Sequence, residues 1–345
     1  MHISNRMQHT TLRATSSLSA PSRTRTDLAR FSIPARMLIA TIRLAGTDTA
    51  MPPLERCVLD TIGRILDSGD QRERTIDAVN RFSVVALTRT RLPITINTNT
   101  LGTLTNDELI LLKGASQIAN NNFKEAHDSL QWLMETKVRN QFICALKTLS
   151  SAKCFKTLGT HAFTANSFTA SIDGKYVSQH HRTILKCDDL SLSELLIVNA
   201  IRLWVRGISI GFSSEGAIHS LANHLGLADF ADPLHNLLLE TAYKATRQVD
   251  IRCLCCLELS PDEARILATL SSLQHGRPAA AVTHLEQWFA DVSIQRVLTY
   301  SAQMRHSLKS LDNPLPLRQW DFEGMLQRQV LFEHGRTGTH LVSVH

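Results

Sequence analysis

Helix start signals recur along this chain and set its fold class. Thr105-Asn-Asp-Glu108 and Ser191-Leu-Ser-Glu194 have the capping-box pattern, in which the hydroxyl and the carboxylate each accept a hydrogen bond from an otherwise unpaired backbone N–H group. Ser260-Pro-Asp-Glu263 places a cap residue before proline and two acids in a first helical turn. The segments that follow carry apolar residues at helical spacing. We therefore expect an all-α protein.

The apolar periodicity predicts two helical halves, which read as helical hairpins in a bundle or an α-solenoid-like stack. The expected helices are 53–68, 71–88, 105–120, 123–136 and 138–157 in the first half, and 191–207, 233–248, 261–274, 279–290, 292–310 and 319–333 in the second. Asp232-Pro233 is expected to begin the helix at 233, because proline suits a first helical position. Asp173-Gly174 stands between two β-prone segments and predicts a small β-hairpin.

These patterns divide the chain into four predicted parts. Residues 51–160 form an N-terminal helical domain, residues 161–190 the β-hairpin linker and residues 191–335 a C-terminal helical domain. Residues 1–50 hold seven arginines, no lysine and two acids, and we expect a disordered basic segment there. Two alternatives stay open for this segment. It could be an organellar transit peptide with a basic amphipathic helix over 29–45, or translation could start at Met51.

Charge and hydropathy argue against two classes of partner. Residues 1–50 carry a net charge of +5, which leaves +1 of the chain's +6 for the rest, so the body lacks the broad basic face typical of nucleic-acid binding. The apolar run 195–205 is interrupted by Asn199 and Arg202 and is shorter than the ~20 residues of a membrane span. The seven cysteines are odd in number and scattered, which favours a reducing compartment. We expect a cytoplasmic protein, or an organellar one if residues 1–50 are a transit peptide.

One pair of segments is similar to each other. Residues 110–133 and 265–288 align without a gap at an offset of 155 positions, each reading as helix, tight turn and helix. The turn falls at Asn121 in the first copy and at Gly276 in the second. The matched positions are Leu111 with Ile266, Leu112 with Leu267, Ile118 with Leu273, Ala126 with Ala281, Leu130 with Leu285, and Leu133 with Trp288.

The first copy resembles a tetratricopeptide (TPR) helical hairpin. Gly114, Phe123, Ala126 and Leu130 stand at that family's small, aromatic, small and large positions. The second copy is looser, with Thr269 and Pro278 in place of the glycine and the aromatic residue. Nothing recognisable lies ~34 residues before or after either copy, so a regular tandem array is not expected. The resemblance implies a protein-binding surface on an α-solenoid.

A cluster of three cysteines is the stretch that looks most like chemistry. Cys253 and Cys256 have the C-x-x-C spacing of zinc and redox sites, but no second ligand pair accompanies them and the next helix begins only after Ser260. Every second residue of the stretch is either apolar or a cysteine, and this pattern predicts a buried face and a packing role. The alternating residues are Ile251, Cys253, Cys255, Leu257 and Leu259.

Other candidate sites are weaker. Gly207-Ile-Ser-Ile-Gly211 matches a nucleophile elbow, but a helix rather than a strand is expected before it. His219 and His224 are five residues apart, which is unsuited to a shared metal on one helix. A loosely spaced metal site could combine Cys154, His161, His180, His181 and Cys187. We assign no catalytic, cofactor-binding or metal-binding residue and no cofactor.

The sequence thus favours a non-enzymatic protein–protein interaction module of an adaptor, regulatory or chaperone-like kind. Its partner would be another protein or a peptide, held in an exposed groove lined by the first helix of each hairpin. The alternative is an enzyme with a metal or cysteine-based site around residues 154–187 and 253–256. A third hypothesis is a DNA-associated regulator that uses the arginine-rich segment 1–50.

Overall fold

The computed structural model describes residues 26–28, 31–46, 53–66, 77–78, 81, 95–96, 103–150, 186–309 and 314–326. These residues form an all-α protein, as the capping patterns predict. The helices are α1 (Ile33–Gly46), α2 (Pro53–Leu66), α3 (Asn106–Ala119), α4 (Phe123–Leu130), α5 (Thr136–Ser150), α6 (Leu192–Ser209), α7 (Ser214–His224), α8 (Ala228–Lys244), α9 (Pro261–Gln274), α10 (Pro278–Leu285) and α11 (Asp291–Lys309). Two short strands, β1 (Thr26–Asp27) and β2 (Thr103–Leu104), pair antiparallel.

Each of the three start signals begins a helix with a complete capping box. The hydroxyls of Thr105, Ser191 and Ser260 accept hydrogen bonds from the backbone N–H groups three residues later. The carboxylates of Glu108, Glu194 and Glu263 accept hydrogen bonds from the N–H groups of the cap residues. The reciprocal bonds satisfy donors that a helix start leaves unpaired, and the local pattern therefore fixes where α3, α6 and α9 begin.

Helix bounds differ from the predicted ones where tertiary packing overrides local signals. Residues 261–274 are helical as predicted. Pro233, however, lies inside α8, which begins five residues earlier at Ala228, so the prediction that Asp232 caps this helix is wrong. Buried Phe230 and Ala231 extend the apolar face of α8 ahead of the proline, and burial of that face outweighs the one backbone hydrogen bond that proline cannot make.

The prediction that residues 1–50 are disordered is wrong for residues 26–28 and 31–46. Helix α1 lies in the hydrophobic core, where Met37, Leu38, Ile39 and Ile42 are fully buried. Helix α1 carries two arginines, and the prediction failed because arginine in a charged segment usually faces solvent. Both are instead buried with internal partners: Arg36 donates to the carbonyl oxygen of Phe31, and Arg43 belongs to a buried ion pair. Neither guanidinium is available to a nucleic-acid phosphate, which weakens the DNA-associated hypothesis.

Three consecutive helices in the first half of the chain have counterparts in the second half at one constant sequence offset. Helices α3, α4 and α5 begin at 106, 123 and 136, and α9, α10 and α11 begin 155 positions later in each case. Helices α1 and α6 begin 159 positions apart. The contacts are also alike. Helix α1 packs against α2 and α3, and helix α6 packs in the same way against α7 and α9. The similarity of residues 110–133 to 265–288 is thus one part of a longer structural correspondence.

The turns inside the corresponding helix pairs share a backbone conformation. Asn121 has a φ of 62° and Gly276 a φ of 71°. Glycine and asparagine are the residues that enter this left-handed region most readily, so the tight turns predicted at these two positions are confirmed. Whether the two hairpins are TPR units stays a prediction.

The described helices contribute to one hydrophobic core, in which the predicted division into two helical domains is not visible. Helix α2 of the first half packs against α6 and α7 of the second, and α1 also contacts α7. The β-hairpin predicted at Asp173-Gly174 lies outside the described residues. Among the helices that the structure describes, none combines the length and the apolar character needed to cross a membrane.

Candidate functional site

The loop that carries the three cysteines is held by a buried guanidinium. Arg202 of α6 donates from Nη1 to the carbonyl oxygen of Cys256 (2.6 Å) and from Nη2 to that of Glu258 (2.8 Å). The same side chain forms a bidentate ion pair with Glu263, at Nε–Oε1 2.6 Å and Nη2–Oε2 2.9 Å. Glu263 is the capping-box acid of α9, so one carboxylate fixes both the start of the helix and the arginine that holds the loop.

This arrangement occurs three times among the residues that the structure describes. Arg43 pairs with Glu108 (Nε–Oε1 2.8 Å), and Arg318 pairs with Glu194 (2.6 Å). In every case an arginine Nη2 also binds the carbonyl oxygen two residues before the cap residue. Those carbonyl groups belong to Thr103, Glu258 and Asp189. Arg43 and Arg202 are 159 positions apart on the corresponding helices α1 and α6, so their pairs are equivalent.

In the pair of Arg202 and Glu263, each charge stabilises the other in a buried setting. Burial opposes the charge of Arg202, but attraction and hydrogen bonding by the Glu263 carboxylate outweigh it, and the pKa of Arg202 is raised. Cys187 lies beside this guanidinium, with Arg202 Nη1 at 3.7 Å from its Sγ. Burial raises the pKa of the Cys187 thiol, with a smaller opposing effect from Arg202. We therefore expect Cys187 to remain a neutral thiol at neutral pH.

The predicted buried face of the cysteine stretch holds at Leu259 but is wrong for Cys253, Cys255 and Leu257. Cys253, Cys255 and Leu257 are exposed and Cys256 is half-buried, whereas Leu254 is buried. The stretch is a turn rather than a strand, with the Cys256 N–H bonded to the Cys253 carbonyl oxygen, so its side chains do not alternate between two faces. The structure joins Cys253 to Cys255 in a disulfide and places Cys256 Sγ 2.8 Å from Cys253 Sγ.

A second cation holds the loop from the other half of the chain. Arg64 of α2 donates from Nη1 to the carbonyl oxygen of Leu254 at 3.1 Å. Its Nε is buried and has no hydrogen-bond partner among the residues that the structure describes. Burial lowers the pKa of Arg64, which attraction by Asp60 partly offsets. The cysteine loop is thus fixed by one guanidinium from α2 and one from α6.

A pocket of about 310 Å³ lies in the second half. Its walls are α6, α8 and the segment 245–251 that leads into the cysteine loop. Most of the wall is apolar, and its lining includes Trp204, Val205, Leu238, Ala242, Ala245, Val249 and Ile251. This volume and lining are typical of a site that takes one apolar side chain or a small apolar ligand.

Three of the four polar side chains that line this pocket have structural partners. The hydroxyl of Thr241 donates to the carbonyl oxygen of Leu237, and that of Thr246 to the carbonyl oxygen of Trp288. Arg247 forms a bidentate pair with Asp262, at 2.6 and 3.0 Å. These groups shape the pocket and hold the segment 245–251 in place. They are not poised as nucleophiles or general bases.

Helix α9 does not line an exposed groove, contrary to the prediction for the first helix of each hairpin. Its residues from Pro261 to Ser272 are buried. Exposed apolar side chains lie instead at the end of α6 and on the connection to α7, where Ile208, Ile210 and Phe212 are 40%, 41% and 36% exposed. Ile208 stands one helical turn after Trp204 of the pocket and continues the same face of α6.

The remaining sequence candidates do not meet at a site. Ser209 is the last residue of α6, so a helix precedes it as expected, and its hydroxyl donates to the carbonyl oxygen of Val205. His219 faces Asp232 (2.9 Å) whereas His224 faces Glu55 (3.5 Å), so the two histidines point to different acids. Glu215, His219 and Asp232 lie close together on the surface, as ordinary solvated ion pairs do.

Part of the alternative metal hypothesis lies outside the described residues. Cys154, His161, His180 and His181 lie outside the described residues, and Cys187 is the one member of that group within them.

Comparisons with known proteins give no relative. No family model, no curated protein and no solved structure matches the chain. The geometry of its own residues is therefore the basis for assigning a function.

Sequence reasoning missed the arginines that organise the site. Arg43 and Glu108 are 65 residues apart, and Arg202 and Glu263 are 61 apart, so no local pattern reports the pairing. One sequence signal does point to the pairing. The tripeptide Ile-Arg-Leu occurs at 42–44 and again at 201–203, and each time its arginine pairs with the acid of a capping box further along the chain.

Proposed function

We propose that this chain is a non-enzymatic interaction module that binds a segment of another protein. The pocket between α6, α8 and residues 245–251 carries the proposal. Protein interfaces concentrate their binding energy in a few apolar or aromatic anchors that fill such pockets. A partner's apolar side chain would enter beside Trp204 and Ala242, and the exposed Ile208 would extend the contact along α6.

Contacts that fix the wall of this pocket support its role in binding. Segment 245–251 is tied to α9 by three contacts: Arg247 pairs with Asp262, the Asp250 N–H donates to the same carboxylate, and the Ser260 hydroxyl donates to the Asp250 carbonyl oxygen. A preformed pocket lowers the ordering cost of association. The adaptor, regulatory and chaperone-like roles all require such a surface.

A pocket-filling substitution tests this proposal. Ala242→Trp would occupy the space that the partner's side chain needs, whereas Ala302→Trp on an exposed face of α11 would leave it open. Peptides selected on the purified chain from a displayed random library should bind the parent and Ala302→Trp alike and fail to bind Ala242→Trp. The same comparison in pull-downs from the native host would identify the partner. Selected peptides that bind all three chains equally would place the interaction elsewhere and refute the pocket as the binding site.

The alternative, an enzyme with a cysteine-based site, has one observation in its favour. Cys253, Cys255 and Cys256 are clustered and accessible to solvent. Bound metal in the purified chain, lost on substitution of these cysteines, would support that alternative.

A further inference from the structure

Three sulfur atoms converge on one exposed point of the loop before α9. The Sγ atoms of Cys253, Cys255 and Cys256 all lie within 4.8 Å of one another. Two of these side chains are exposed and the third is half-buried, so an ion or a reagent in solvent can reach them. The cluster is separate from the pocket proposed above, although both border the same segment of chain.

The backbone of the loop brings the sulfurs together. A turn closed by the Cys256 N–H and the Cys253 carbonyl oxygen (3.0 Å) sets the two outer cysteines side by side. The side chain of Leu254 in this turn is buried, and its carbonyl oxygen accepts a hydrogen bond from Arg64. The carbonyl oxygen of Cys256 accepts from Arg202. Because these contacts do not involve the disulfide, the sulfurs are expected to stay close when it is reduced.

Clustered thiolates select soft metal ions. Cysteine sulfur favours Cu(I) and zinc over the hard cations that prefer oxygen. With metal–sulfur bonds of ~2.3 Å the sulfurs of one site stand ~3.8 Å apart, a spacing that the three sulfurs can adopt within the loop. Structural zinc takes four protein ligands. Cys187 is a buried thiol that contacts the carbonyl oxygen of Cys256 and does not belong to this cluster, so the described residues supply three sulfur ligands at this point.

We propose that, in the reduced chain, Cys253, Cys255 and Cys256 bind one soft metal ion through three thiolates, a ligand set suited to Cu(I). The disulfide first opens by exchange with a dithiol, which supplies two electrons and two protons and itself becomes a disulfide. Binding of the ion then displaces the thiol protons. Three thiolates around Cu(I) leave a net negative charge, which the guanidinium of Arg64 offsets from beside the loop.

Copper retention by the full-length chain tests the proposal. The protein is reduced with a phosphine without oxygen and titrated with Cu(I) against a chromophoric Cu(I) chelator. We expect one ion per chain to be withheld from the chelator, with an X-ray absorption spectrum of sulfur neighbours only. Cys253→Ser, Cys255→Ser and Cys256→Ser should each lose this ion. Cys144→Ser, at an exposed cysteine on α5, is the matched control and should keep it.

Alkylation of the parent chain provides a second measurement that needs no variant to fold. With Cu(I) bound, iodoacetamide should modify Cys144 but spare the three loop cysteines, as read by peptide mass spectrometry. Complete transfer of copper to the chelator, retention by Cys256→Ser, or equal alkylation with and without Cu(I) would each overturn the proposal.

Discussion

Arg202 and Glu263 join the cysteine loop to the start of α9 through one bidentate ion pair, with Nε–Oε1 at 2.6 Å. Their side chains are 1% and 0% exposed. The same carboxylate accepts from the Ser260 N–H at 2.9 Å, which means that a helix cap and a charge pair depend on a single residue. Loss of either partner therefore affects two parts of the structure at once.

Arg202→Met should lower the free energy of unfolding by about 3–5 kcal/mol, because it leaves Glu263 buried without its counter-charge. Urea denaturation followed by circular dichroism measures the change. In the double variant Arg202→Met/Glu263→Gln no buried charge remains and the amide oxygen can still accept from Ser260, so much of the stability should return. A double variant no more stable than the single one would show that the charge is not the cause.

Arg43→Met should have an effect of similar size, about 3–5 kcal/mol, because its pair with Glu108 is equally buried, at 2% and 0% exposure. The exposed pair of Arg81 and Asp77 on one helical turn supplies the comparison. Arg81→Met should cost less than about 1 kcal/mol. Equal losses in Arg43→Met and Arg81→Met, measured in the same denaturation experiment, would contradict the view that burial of the ion pair sets the cost of losing the arginine.

Gly114→Ala should destabilise the protein by about 1–3 kcal/mol, since there is no space for a methyl group between α3 and α4. A Cβ at this position would lie 2.9 Å from Cγ and Cδ2 of buried Leu130. Thermal unfolding compares the variant with Lys113→Ala, at an exposed neighbour that should change little. Gly114→Ala combined with Leu130→Val should be less destabilised than the two separate losses summed, because the shorter side chain relieves the overlap.

Glu55 gives the protein an acid-sensitive contact between its halves. A hydrogen bond from His224 is the main cause of its lowered pKa, opposed by burial and aided by the Ser220 hydroxyl. Because the folded-state pKa lies below the ordinary 4.5, the carboxylate adds stability above that pH and loses it as the pH falls through the folded value. Glu55→Gln should therefore melt below the parent at neutral pH, and the gap should close in acid. Glu215→Gln, at a more exposed acid, should show no such convergence.

Local signals predicted the helix starts well and the long-range contacts poorly. The caps at Thr105, Ser191 and Ser260 depend on residues three positions apart, which a sequence displays directly. Pro233 shows the limit of such signals, because burial of the apolar face before it decides where α8 begins. The length of the correspondence between the halves was also missed, since only residues 110–133 and 265–288 are alike in sequence over a long stretch.

The candidate site was less predictable than the fold. Alternation predicted a buried face over residues 251–259, but the turn at Cys253 and the two carbonyl contacts from Arg64 and Arg202 set the backbone of the loop and expose two of the three sulfurs. Those arginines come from helices far away in sequence. Exposure of the cysteines is thus a tertiary property of the chain.

The equivalence of Arg43 with Arg202 and of Glu108 with Glu263 has an engineering consequence. At the constant offset of 155, the first half has Thr98, Thr100 and Leu101 in the sequence positions of the three cysteines. A cysteine segment introduced at those positions would have the guanidinium of Arg43 and the carboxylate of Glu108 in place of Arg202 and Glu263. One scaffold would then carry two thiol loops, and comparing one-loop and two-loop chains would show how much of the loop's chemistry depends on its surroundings.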